Sequence, residues 1–192
     1  PYLIDLELLE EEGLLAHGVS AAIDWGSDPE QVDYGRLYRS RFAVLRQACD
    51  VCRRTRQAEL ARFAQEQRHW LEDYALFMAL KVRFGMRSWL EWPDEALRLR
   101  EPSALEAARR ELAEDTAFFT CLQYLFYRQW DALRAHCRSR GVQLIGDVPF
   151  YVSVDSADVW SQPQFFQLDA QRRPTHVAGV PPDYFSENGQ LW

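Results

Sequence analysis

The residues best suited to chemistry sit late in the chain. Asp147 ends the apolar run GVQLIGD, residues 141–147, with Pro149 just behind it. Asp183, Tyr184 and Phe185 follow Pro181 and Pro182 in PPDYFSENGQLW, residues 181–192. Two prolines stiffen the backbone there, and the E-N-G that follows turns it again. Aromatic rings on a stiff loop beside carboxylates suit carbohydrate, because the C–H faces of a pyranose stack on rings while its hydroxyls need charged acceptors. Tyr184 and Phe185 could equally plug the loop against the body of the protein, and spacing alone does not choose. A strand-end aspartate such as Asp147 can also serve as a turn anchor.

Other chemistry has little support. Cys49 and Cys52 form a C-x-x-C, which alone is compatible with a redox pair or half a zinc site. A redox motif of that type follows a strand and opens a helix, whereas RQACDVCRRTRQ reads as the inside of a polar helix. Cys121 and Cys137 lie on one expected helix, about 24 Å apart at 1.5 Å per residue, and cannot close a site together. Reduced thiols are the simpler reading. His17, His69, His136 and His176 make no ligand-spaced pair, and there is no glycine-rich phosphate loop; no metal or cofactor is expected.

Composition narrows the field further. The chain has 192 residues, 47% hydrophobic and 27% charged, enough for one sizeable core or a piece of a larger domain. A net charge of −7 without a basic stripe argues against nucleic acid and against an acidic membrane surface. No apolar run approaches the roughly 20 residues that span a bilayer, and PYLIDLELLEEEGLL lacks the positive flank of a signal peptide. A cytoplasmic location is expected. Of the 22 basic residues, Lys81 is the sole lysine, a usage read here as coding bias.

The elements that must position the candidate residues are mostly helical. Residues 1–35 read as one or two helices joined by loops. Leu60, Phe63, Gln67, Trp70, Tyr74, Phe77, Lys81 and Phe84 recur at three and four, and Gly85 is a natural stop. Ser103 and Glu106 have the spacing of a capping box, so a second long helix is expected to start near Ala104. Its stripe runs through Leu105, Ala108, Leu112, Phe119, Leu122, Phe126 and Leu133 to a stop at Gly141, about 55 Å if unbroken. Stripes this aromatic and this interrupted favour packing within one chain over a coiled-coil dimer.

After Gly141 the pattern turns extended. Val142, Leu144, Ile145, Val148, Phe150 and Val152 predict a strand covered on both faces, with Asp147 toward its carboxyl end, where loops of α/β folds converge on a crevice. DSADVW predicts a short helix capped by Asp155 or Ser156. FFQLDAQRRPTHVAGVPP predicts a hairpin turning at DAQR.

Several blocks in order resemble a known family. FYRQW (126–130), IGDVP (145–149), DSADVW (155–160), FFQLD (165–169) and VAGVPPDYFS (177–186) resemble the 4-α-glucanotransferases, the amylomaltase or disproportionating-enzyme family, glycoside hydrolase family 77. The resemblance covers the whole chain and is most specific over 118–192. It implies an α/β fold: a fragment of a (β/α)8 TIM barrel with a large helical insertion, predominantly α-helical in this chain. On that reading 1–100 is the helical insertion, 101–152 a long helix plus barrel strand, and 153–192 the loop region on the active-site side.

The implied activity moves a segment of an α-1,4-glucan or maltooligosaccharide to the 4-hydroxyl of an acceptor by retaining double displacement. Asp147, Asp183, Tyr184, Phe185 and Trp192 carry over as substrate-binding residues. No catalytic carboxylate carries over, because the family's nucleophile lies in a later R-x-D-H-type motif with no counterpart here. The chain therefore resembles an internal fragment, expected to be inactive alone and prone to self-association through uncovered strand edges. A non-catalytic helical or glucan-binding module is the alternative from another class. Another enzyme of the α-amylase superfamily is disfavoured by VAGVPPDYFS.

Overall fold

A computed structural model describes residues 1–26, 28, 30–149 and 151–191. Its regular structure is overwhelmingly helical, and the chain divides into two compact units. One comprises residues 1–75 and 114–145, the other 76–113 and 146–192. Among the described residues no helix is long and apolar enough to cross a membrane.

The first unit contains α1 (Leu6–Glu11), α2 (Tyr34–Thr55), α3 (Gln57–Glu66), the first half of α4 (Arg68–Arg83) and nearly all of α7 (Ala113–Ser139). Asp5 caps α1 by accepting the Glu7 and Leu8 N–H groups. Its core takes Leu45, Ala48, Cys49 and Cys52 from α2, Leu71 from α4, and Phe119, Cys121, Leu122 and Leu125 from α7. The second unit adds α5 (Glu95–Arg98) and α6 (Pro102–Glu111), then α8 (Ala157–Ser161) and a two-stranded antiparallel sheet, β1 (Gly179–Val180) and β2 (Gln190–Leu191). Leu76, Phe77, Leu80, Trp89, Trp92, Leu97, Leu105 and Trp160 form its core. Phe77, Trp92 and Trp160 meet there with ring centroids 5.7–5.8 Å apart, and the Trp160 indole N–H donates to the Leu97 carbonyl at 3.0 Å.

Both long helices expected from periodicity are broken once. The first divides at Gln67, a polar member of its stripe, into α3 and α4, with Gln67 Oε1 accepting the Trp70 indole N–H. The second divides at Leu112 into α6 and α7. The Ser103–Glu106 capping box does not form: α6 starts at Pro102 with Glu101 at the cap position, so Ser103 already lies inside the helix. Gly141 ends α7 as expected. Its φ is +69°, and the Val142 N–H reaches the Cys137 carbonyl at 2.9 Å, a bond that uses the left-handed glycine.

The strand expected over 142–152 is not present among the described residues of that segment; Phe150 lies outside them. Ile145 is 93% exposed and Val148 80%. A strand is stabilised by ladder bonds to neighbours, and a covered one by layers on both faces. Here the described ladder residues are those of β1 and β2 and the bridge between Leu168 and Pro174, and none borders 142–149. That bridge closes the expected hairpin. Asp169 Oδ1 accepts the Gln171 and Arg173 N–H groups, and Arg172 takes a positive φ at the turn.

Candidate functional site

The aromatic pair is presented by a loop, 181–189, closed by pairing of Gly179 with Leu191 and of Val180 with Gln190. Glycine is required at both ends. A Cβ on Gly179 would lie 2.6 Å from the Gln190 carbonyl, and one on Gly189, whose φ is +70°, would collide with the Val180 carbonyl. Inside the loop the Asp183 carboxylate organises the turn: Oδ1 accepts the Phe185 N–H at 2.9 Å and the Ser186 N–H at 2.8 Å, while its own N–H donates to the Ser186 carbonyl at 3.0 Å. Ser186 Oγ donates to the Gly189 carbonyl at 2.7 Å.

With the backbone held this way, the rings stand free. Tyr184 is 96% exposed and Phe185 89%, and they meet edge to face at 5.5 Å. Plugging the loop against the body of this chain is therefore not what they do. Asp183 Oδ1 is the oxygen engaged in the turn. The spacing D-x-x-S could have revealed this bracing role for Ser186 in the sequence.

Asp147 is exposed and forms no hydrogen bond or ion pair with the described residues. Trp192 lies outside the described residues. The segment after Asp147 does reach the loop's base, where the Tyr151 hydroxyl donates to the Gly179 carbonyl at 3.4 Å. A groove of about 1230 Å³ runs between this segment and the following hairpin, lined by Tyr151, Val152, Asp155, Phe165, His176 and Val177 among others. Asp155 does not cap α8. Ser156 does, accepting the Val159 N–H, and Asp155 instead pairs with the buried Lys81.

The cysteines group differently from the sequence reading. Cys121 lies against Cys49 and Cys52 in the core of the first unit, and all three are buried. The Cys52 thiol is pushed up by its hydrogen bond to Cys121 and by burial, and Cys121 by its bond to Cys49. Thiols held protonated in this way are poor nucleophiles. Among the described residues no group of three or more His, Cys, Asp or Glu side chains is arranged to hold a metal.

A family model described as 4-alpha-glucanotransferase matches residues 1–192. The chain belongs to the 4-α-glucanotransferase family. It is 46% identical over 196 residues to a 4-alpha-glucanotransferase of Thermus thermophilus, with all of this chain and 38% of that protein aligned. For the Clostridium butyricum 4-alpha-glucanotransferase the identity is 38%, over all of this chain and 39% of the relative. Among solved structures, the amylomaltase from Streptococcus agalactiae in complex with acarbose superposes with a TM-score of 0.94 at 42% identity, over the whole chain and 39% of that protein. The chain thus spans under two-fifths of the length of these relatives.

Within this chain, Arg128 and Gln129 of the R-Q-W block bond to other parts of the same unit. Arg128 forks onto Glu12 at 2.6 and 3.2 Å. Gln129 Oε1 accepts the Asp5 N–H at 2.7 Å while its Nε2 donates to the Asp5 carbonyl at 2.9 Å, which ties the start of α1 to α7. One turn earlier Tyr124 donates to Glu59 at 2.6 Å, and burial with that bond pushes its phenol up to about 12. These side chains spend their hydrogen bonds on the protein itself.

Proposed function

We propose that this chain is part of an enzyme that transfers a segment of an α-1,4-glucan to the 4-hydroxyl of an acceptor sugar. The mechanism is retaining double displacement, with the reacting carboxylates outside these residues. Tyr184 and Phe185, on a loop whose backbone is braced by Asp183, Ser186 and two obligatory glycines, carry this reading. Exposed rings held on a rigid support can stack on a sugar and exclude water from the acceptor side, which favours transfer over hydrolysis.

The acarbose bound by the similar S. agalactiae enzyme supports a maltooligosaccharide-like ligand. Asp147 supports the sugar at the cleavage position through hydrogen bonds and is not the nucleophile; Asp183 and Trp192 are assigned sugar contacts on the same reading. Residues 1–100 form a helical insertion, 101–152 the helix and strand of a barrel unit, and 153–192 its active-site loops. The β-branched run 142–152 becomes a strand where other barrel strands flank it. The enzyme is cytoplasmic, and the isolated chain is inactive and self-associates.

The test is maltotriose disproportionation by this chain beside a protein extended at both ends to the length of its relatives. Glucose and longer oligosaccharides are expected from the extended protein alone. There, Tyr184→Ala is expected to raise KM about fivefold, the worth of one ring contact. Turnover by the short chain itself would place the reacting carboxylates within it and make Asp147 and Asp183 the pair to examine.

A further inference from the structure

The chain uses arginine for 21 of its 22 basic residues, yet the cation at position 81 is lysine. Lys81 is 5% exposed. Its Nζ donates to three acceptors: the Met86 carbonyl at 3.1 Å, the Arg87 carbonyl at 2.8 Å and Asp155 Oδ2 at 2.5 Å. An ammonium has three N–H bonds radiating from one atom, and here every one is used. A guanidinium, with donors spread over a planar fork, does not converge on three acceptors around a point. The site demands lysine by geometry, which coding bias does not explain.

The three bonds fasten two stretches of chain. Met86 holds a left-handed conformation, φ 62°, directly after Gly85 at the end of α4, and Lys81 binds the carbonyls of two successive residues, Met86 and Arg87. On the other side, Asp155 Oδ1 accepts the Trp89 N–H at 3.2 Å, and the Trp89 indole N–H donates to the Val154 carbonyl at 2.7 Å. Residues 154–155 are thereby fixed to the turn 86–89. Four residues before Asp155, Tyr151 hydrogen-bonds the carbonyl of Gly179, the first residue of β1.

We propose that Lys81 is a positioning residue for the aromatic loop: through Asp155 it anchors the segment 151–155, which holds the base of the β1–β2 hairpin that presents Tyr184 and Phe185. The clamp itself is independent of what the loop binds; its effect on catalysis rests on the glucan reading.

The experiment places 4-fluorophenylalanine at position 185 of this chain and follows its fluorine resonance together with chymotryptic cleavage after Tyr184 and Phe185. Lys81→Met is expected to shift or broaden the resonance and to raise cleavage about fivefold or more, the scale of one lost buried contact. Leu97→Ala removes core packing from the same unit without removing any of the clamp's hydrogen bonds; at an equal interval below its own melting temperature it is expected to leave both signals unchanged. Should Lys81→Met not fold, Asp155→Asn keeps an acceptor but removes the charge and is expected to move the same two signals less. Unchanged signals in the folded clamp variants, or an equal change in Leu97→Ala, would overturn the proposal.

In the extended protein, Lys81→Met is expected to raise KM for maltotriose about fivefold with kcat held within about twofold. An unchanged KM beside an active unsubstituted protein overturns the positioning role. An inactive unsubstituted protein counts instead against the glucan reading and leaves the two loop signals to decide the clamp.

Discussion

Single carboxylates in this chain do backbone work that their sequence neighbours do not announce. Glu10 accepts the Ser20 hydroxyl, the Ser20 N–H and the Gly18 N–H, each at 2.7 Å, and so closes the loop after α1. The Ser20 hydroxyl first, then these two N–H groups, hold its carboxyl down to about 2 from an ordinary 4.5. A group with a depressed folded pKa contributes stability that is complete above the unfolded value and lost as pH falls through the folded one. Thermal melts of the unsubstituted chain are therefore expected to fall more steeply between about pH 4.5 and pH 2 than those of Glu10→Gln. The two curves should converge near the acid end. Parallel curves over that range would show that Glu10 does not couple to folding.

Helices illustrate the limits of periodicity more than its strength. The stripe through α7 reaches Leu133 in sequence, yet Leu122 is 1% exposed and Leu133 49%. Periodicity reports which face is apolar; it does not report how far along that face a partner extends. Leu122→Ala is expected to cost about 2–5 kcal/mol, because it leaves a cavity among packed side chains. Leu133→Ala should cost less than about 0.5 kcal/mol. Denaturant unfolding of both variants checks the contrast, and equal losses would mean that the far part of the helix is covered in solution. The breaks at Gln67 and Leu112 each interrupt a pattern that local propensity would let continue.

At the scale of the molecule, the exposed apolar run after α7 is the main liability. Ile145 and Val148 are nearly bare, and backbone there has no ladder partner among the described residues. Uncovered β-branched segments of this kind pair with copies of themselves. Light scattering is expected to show concentration-dependent association, reduced by Ile145→Asp with Val148→Asp. A monomer with one cooperative melt at all concentrations would remove the self-association reading.

The sequence by itself determined the features written in local period and backbone chemistry: a mainly helical chain, the glycine stop at Gly141, the turn at Asp169, the short helix after Ser156 and the ordered blocks that carry the family. It also singled out Tyr184 and Phe185 on a loop stiffened by two prolines, but whether the rings are presented or packed away was decided only by their exposure in the structure. Tertiary structure alone decided the rest. That Cys121 meets Cys49 and Cys52, that Arg128 and Gln129 serve α1, and that Lys81 is buried against Asp155 are contacts between residues far apart in the chain, where spacing carries no signal. The strand expected over 142–152 shows the same rule in reverse. Its residue types favour extension, but ladder bonds and covering layers come from other elements, and the described residues supply none beside it.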